Sequence, residues 1–302
     1  MAEFSSLPGI DLPSPTLSAR LRELADYLAA PAAGRLTEEQ RALSLGIAGR
    51  LITDVAARLD SAIDTGALWR DWLADGLPGP ERFAAACFAR AEEHRWREQS
   101  AQQNGPPEML PREPAGASDE ELTVREPLSA ADQAYLTLQI ADRRRFDALG
   151  HPALGIADLD PMIFRALLHD IAAWRLGQIS QDHRRAAALG EAVRAALDRH
   201  ADERGIDAAA KAYHDMLAEC GALFDTAATA IARHDWPVLI ALAAAALHRS
   251  YGDMTLALLT ADTAALPSLF APLRLDRIAL APLEASLAML SARAVAGQGD
   301  GK

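Results

Sequence analysis

Two His-Asp doublets, His169-Asp170 and His234-Asp235, are the residues of this chain whose types and adjacency could do chemistry. An imidazole beside a carboxylate offers a nitrogen and an oxygen ligand to one divalent metal, which would activate a water molecule for hydrolysis. The helical wheel weakens the first doublet. Ile163, Leu167, Ile171 and Trp174 define the apolar stripe of its helix, and His169 falls near the opposite side, close to Arg165. An outward histidine does not readily share an interior metal with other helices. His234-Asp235 precedes Trp236-Pro237 and reads as a turn with a helix cap. Cys87 and Cys220 lie far apart with no CxxC spacing, and both are expected to be small buried apolar residues in a reducing compartment. Arg143, Arg144 and Arg145 spread over about 200° of a helix at ~100° per residue, so they read as surface charge and not as a phosphate clamp. Arg184-Arg185 reads the same way. No GxSxG, Walker loop or GxGxxG occurs.

The stretch LLHDIA around His169 is similar to the doublet of the HD-type metal phosphohydrolases. Further histidines upstream and a distant aspartate complete that pattern, and only arbitrary choices such as His151 and Asp225 supply them here. No catalytic, metal or cofactor-binding residue is therefore expected, and His169 and Asp170 would serve only in the phosphohydrolase alternative. A ligand or partner surface could be lined by Trp174, Trp236 and Tyr251, although no convergent polar groups accompany them. Trp69 and Trp72 are expected to pack over helix ends.

The elements that would position these residues read as helices throughout. The chain has 66 alanines against five valines and 13 isoleucines, which favours helix over sheet. A first helix is expected over 17–30. Thr37 with Gln40 forms a capping box before a long amphipathic helix carrying Leu43, Ile47, Leu51, Ile52, Val55, Leu59 and Ile63, stopped by Gly66. Gly79-Pro80 starts another helix that runs towards Arg97. Ser129, Asp160-Pro161, Ser180, Asp207 and Asp253 are read as later helix starts, and Pro267, Pro272 and Pro282 as limits on the last ones. The stretch from Ala227 to Leu290 reads as short alanine-rich helices, none able to bury its apolar side alone, that stack on one another.

From Gln99 to Pro127 the composition shifts to Gln, Asn, Gly and five prolines, with an acidic cluster at Asp119, Glu120 and Glu121. The expected division is an N-terminal helical portion (1–98), a disordered Pro/acidic linker (99–128), a C-terminal helical array (129–293) and a frayed tail (294–302). The net charge of −12 repels a phosphate backbone, so nucleic acid is not expected as a partner. The longest uncharged run, Trp236 to Leu247, is far shorter than the roughly 20 apolar residues that span a bilayer. The N-terminal residues MAEFSSLPGIDLP lack a basic leader and an apolar core, and a cytoplasmic location is expected.

Three segments resemble an uncharacterised alphaproteobacterial helical family, the domain of unknown function two-three-three-six. They are LRELADYLAAP with LTEEQRALSLGIAGRLITDVAARLDSAI, then DLDPMIFRALLHDIAAWRL, and most closely AIARHDWPVLIALAAAALHRSYGDMTLALLTADTAALPSLFAPLRL. The resemblance covers about half the chain. It implies a HEAT-like array of stacked helices, and it brings no activity and no functional residues with it. The expected fold is thus all-α, an irregular HEAT-like solenoid or multihelical array. The expected function is a non-enzymatic scaffold or regulatory module that binds another protein, without cofactor, in a bacterial cell.

Overall fold

The computed structural model describes residues 36–75, 80–104, 128–291 and 293. The helix expected over 17–30, most of the expected linker (105–127) and the whole of the expected tail (294–302) lie outside the described residues. The chain is an all-α multihelical array. No strand occurs among the described residues, only an isolated antiparallel bridge between Phe146 and Pro152.

Cap chemistry sets most helix starts. Thr37 closes a reciprocal box with Gln40, hydroxyl to Gln40 N at 3.2 Å and Gln40 Oε1 to Thr37 N at 3.0 Å, and opens α1, Glu38–Leu59. Gly66 does not stop it. The helix ends at Leu59, and α2, Thr65–Asp75, starts just before that glycine. α3 runs Pro80–Asn104, so residues 99–104 are helix and not linker. Ser129 caps α4, Ala130–Arg143, and Asp160 with Pro161 opens α5, Pro161–Ile179.

Three expected caps move. Asp182 replaces Ser180 before α6, His183–Asp202, because its carboxylate takes both Arg184 N and Arg185 N at 3.1 Å. Gly205 replaces Asp207 before α7, Ile206–Glu219, and α8 follows at Leu223–Ala232. Asp235 caps α9, Trp236–Ala246, whereas Ser250 and not Asp253 caps α10, Tyr251–Thr260. After the single turn α11, Leu266–Phe270, Asp276 caps α12, Arg277–Met289. Pro282 does not end α12. It sits on the exposed side, as does Ile278 four residues earlier, so the carbonyl that loses its partner is on the wet face.

The helices bury two apolar clusters. In the first, Ile47, Leu51 and Val55 of α1 meet Phe83 and Phe88 of α3, Phe164, Leu168 and Ile171 of α5, and Leu189 of α6, with Trp69 and Trp72 packed in. The second surrounds α9, whose residues Trp236 to Ala244 are all buried, with α4, α7, α8, α10 and α12 around it. A helix apolar on every face belongs at the centre of its layer.

α3 belongs to both clusters. It packs on α1, α10 and α12, putting Phe83 and Phe88 into the first cluster and Trp96 into the second. Through α3 the described helices before residue 105 are in contact with those after residue 128. In a simple solenoid each repeat touches only its chain neighbours. Here the contacts of α3 with α10 and α12, and of α4 with α7, bridge long sequence separations.

Candidate functional site

The second half of α3 carries RAEEHRWREQS, a string that looks solvated but is mostly interior: Arg90, Glu92, Glu93, Arg95, Trp96 and Ser100 are all buried. Ala89, Glu93, Trp96 and Ser100 recur at spacings of four, three and four, which places them along one stripe of the helix. That stripe faces α9, α10 and the end of α4. Trp96 stacks on Trp236 at 4.5 Å between ring centroids. The two indole N–H groups donate to Ser286 Oγ (2.8 Å) and Ser100 Oγ (2.9 Å), and these hydroxyls bond each other at 3.0 Å.

One turn earlier, Glu93 is the acceptor for a buried cation cluster. Arg145 Nη1 and Nη2 donate to its two oxygens at 3.0 and 2.7 Å, and Tyr251 OH donates to Oε1 at 2.9 Å. Arg90 Nη1 stands 3.4 Å from Oε2, and Arg97 pairs with both oxygens of Asp142 at 2.8 Å. The guanidinium of Arg145 also lies over the Tyr251 ring at 4.4 Å, and that of Arg90 over Phe146 at 4.6 Å. Burial would raise the Glu93 carboxyl, but Arg145, Arg90 and Arg97 outweigh it and hold it at about 2. Burial pulls Arg90 down to about 10 against the support of Glu93, so it stays charged at neutral pH. Arg145 gains more from Glu93 than burial removes and is held above the ordinary arginine value.

Two N–H groups of this cluster, Arg145 Nε and Arg90 Nη1, are buried without a hydrogen-bond acceptor. Both arginines form part of the wall of a cleft of about 440 Å³. Its floor is Ala85, Ala86 and Ala89 of α3, whose small side chains leave the space open. Leu154, Leu159 and Ile163 form one side and the start of α10 the other, with Arg82 at the rim. Asp158, Asp160, Asp207 and Asp253 line the same cleft.

Backbone donors fix three of these carboxylates. Asp158 Oδ1 accepts from Ile206 N at 2.7 Å and so caps α7 from 48 residues upstream. Gly205 makes this approach feasible, because a Cβ there would stand 2.3 Å from Ala157 O. Asp207, released from capping, accepts from Tyr251 N at 2.6 Å, and Asp160 accepts from Met162 N at 2.7 Å. Burial raises the carboxyls of Asp158 and Asp207 above the ordinary aspartate value. The neighbouring charges of Asp158 and Asp253 push Asp207 further the same way.

The residues singled out from sequence are not gathered here. His169 is exposed and Asp170 half-buried on α5, and among the described residues no group of three or more His, Cys, Asp or Glu could hold a metal ion. Trp236 and Tyr251 are each 1% exposed, so neither offers a ligand or partner surface. Trp174 packs against the other cluster, its Nε1 bonded to Asp71 Oδ2 at 2.9 Å. Arg145 is not surface charge. It is 2% exposed because the chain turns inward after α4, while Arg143 and Arg144 stay outside. Asp235 caps α9 through Val238 N, as its position before Trp236-Pro237 suggested. Cys87 is buried and its thiol is pushed up to about 12, but Cys220 is exposed, at the C-cap of α7.

Comparison with family models, with curated proteins and with solved structures gives no match for this chain.

Proposed function

We propose that this chain is a non-enzymatic helical scaffold, a cytoplasmic regulatory module that holds a segment of another protein in the cleft between α3, α5, α7 and α10. The observation that carries the reading is the chemistry of the cleft wall. Three of its four carboxylates are tied to backbone N–H groups, its buried arginines Arg90 and Arg145 are tied to Glu93, and no histidine, cysteine or lysine lines it. Such a wall can orient and recognise an occupant, but it offers no poised nucleophile or proton-transfer pair. The volume lies within the range of roughly 300–1,000 Å³ common to small binding sites. The resemblance to the alphaproteobacterial HEAT-like family fits a bacterial scaffold of this kind.

The test is site-specific crosslinking. A photoreactive residue at Gly252, on the exposed lip of the cleft, should capture a partner from native lysate, and one at the exposed Ile278 should not. Filling the floor with Ala86→Trp should abolish the capture. Equal capture from both positions, or capture that survives the filled floor, contradicts the reading. The phosphohydrolase alternative at His169 and Asp170 has a separate test. A stoichiometric divalent metal that is lost in His169→Ala would replace the scaffold with an enzyme.

A further inference from the structure

The last helix of the array presents an apolar face that nothing among the described residues covers. Ile278, Ala281, Pro282, Ala285, Ala288 and Met289 of α12 are all exposed. Their spacing puts them on one side of the helix, opposite Leu280, Leu283 and Leu287, which enter the second cluster. Ile278 and Met289, at 84% and 57% exposure, stand at the two ends of this stripe, and no charged residue falls within it. α4 is different, because its exposed Leu136 and Ile140 share their side with the exposed Gln133 and Arg143. A terminal element of a helical array needs a polar outer face or a cover, and the outer face of α12 is not polar.

The chain itself carries a segment of matching form. Leu17, Leu21, Leu24 and Leu28 recur at spacings of four, three and four in the stretch whose sequence reads as a helix, and Ile278, Pro282, Ala285 and Met289 repeat at the same spacings. Residues 17–30 as a helix would measure about 21 Å, and the 13 residues of α12 measure about 20 Å, so one stripe spans the other. Arg95 sets the path between them. Its Nε donates to Glu39 Oε2 at 2.9 Å in the first turn of α1, and its Nη2 donates to Ser291 O at 3.1 Å, just past the end of α12. The chain that leads into α1 thus enters beside the C-terminal end of α12. Residues 31–35 reach roughly 17 Å when extended, which brings Ala30 to Met289 and not to Ile278.

We propose that residues 17–30 form a helix that lies parallel to α12 and covers its outer face, with Leu17 against Ile278, Leu21 against Pro282, Leu24 against Ala285 and Leu28 against Met289. The two stripes then pair in register, as those of a two-helix coil do, and leucines meet alanines, so the helices approach closely. The array is closed at its C-terminal end by its own N-terminal segment. Ile278 sits in the first turn of α12, so the carbonyl that Pro282 frees lies at the end of the cover and not beneath its middle. The proposal is independent of what the cleft between α3 and α10 holds.

The experiment uses the full chain with Cys220→Ser, so that the exposed native thiol is gone while Cys87 stays buried. Ala285→Cys and, separately, Ile140→Cys on the open side of α4 are alkylated with N-ethylmaleimide, each rate divided by its rate in denaturant. Ala285→Cys should react about tenfold more slowly than Ile140→Cys, and Leu21→Asp with Leu24→Asp should restore the fast rate. In a second measurement, Leu24→Cys with Ala285→Cys should close a disulfide within one chain on mild oxidation, seen as a monomer that has lost both introduced thiols, and Leu24→Cys with Ile140→Cys should not. Equal rates at 285 and 140 overturn the proposal, as does protection that survives the two aspartates. So does a disulfide-linked dimer in place of the closed monomer, which would make the cover a second copy of the chain.

Discussion

Arg145 and Glu93, 52 residues apart in the sequence, form a two-pronged ion pair at 3.0 and 2.7 Å, with both side chains at 3% exposure or less. The pair joins α3 to the segment after α4, and Tyr251 OH ties the start of α10 to the same carboxylate. Three parts of the chain thus converge on one oxygen-bearing side chain. Removing one partner of a buried pair strands the other, at a cost of roughly 3–5 kcal/mol. Glu93→Gln should lose stability on that scale, and Glu93→Ala at least as much. Replacing both partners with apolar residues, Glu93→Leu with Arg145→Met, should recover part of the loss. Equilibrium denaturation of the four proteins measures it.

Acid should act through the same carboxyl. Glu93 is depressed from 4.5 to about 2, so its contribution is complete above the unfolded value and is lost as pH falls from about 4.5 towards about 2. Asp158 and Asp207 have the opposite sign. Their raised carboxyls take up protons more readily in the folded chain, so stability should first improve slightly on mild acidification. Denaturation midpoints followed downward from neutral pH should show a shallow rise and then a steep fall. Asp207→Asn should reduce the rise, and Glu93→Gln should flatten the fall.

The stacked indoles give a second measurable joint. Ser286→Ala removes the acceptor of Trp96 Nε1 and a partner of Ser100, leaving a buried donor at a cost of about 1–3 kcal/mol. Trp236→Ala empties the centre of the second cluster and should cost about 3–5 kcal/mol. The two losses should fall short of additive in the double variant, because both act on one hydrogen-bonded unit.

Thiol titration separates the two cysteines. In the native protein one thiol, Cys220, should react promptly with a disulfide reagent, while Cys87, with its thiol pushed up to about 12, should react only after denaturation. Cys220→Ser should leave no prompt reaction.

Local signals were legible in the sequence and distant ones were not. Thr37 with Gln40, Ser129, Asp160-Pro161 and Asp235 lie beside the N–H groups they cap, and each was readable from spacing alone. Ser180, Asp207 and Asp253 were misread because a competing cap stood one or more residues away. For α7 the extra cap, Asp158, comes from far upstream in the chain. The excess of alanine over valine was enough for an all-α fold. The buried charges of α3 were misjudged for a physical reason: Arg90, Glu93 and Arg145 tolerate burial only together, and nothing near Glu93 in sequence announces Arg145 or Tyr251. One hint was available, since Glu93 falls on the stripe shared by Ala89, Trp96 and Ser100. The cleft was illegible for the same reason, because its floor and carboxylates come from four separate elements.

The account depends on α3 being the shared spine of a single cooperative unit, and a fragment beginning at Ser129 tests that most directly. It keeps α4 to α12 but loses Glu93, Trp96 and Ser100, so Arg145, Tyr251 and Trp236 lose their buried partners. The fragment should retain helical far-UV circular dichroism, lose its near-UV signal and bind a hydrophobic dye, as a loosely packed state does. A sharp unfolding transition with a native-like near-UV spectrum in that fragment would contradict the account.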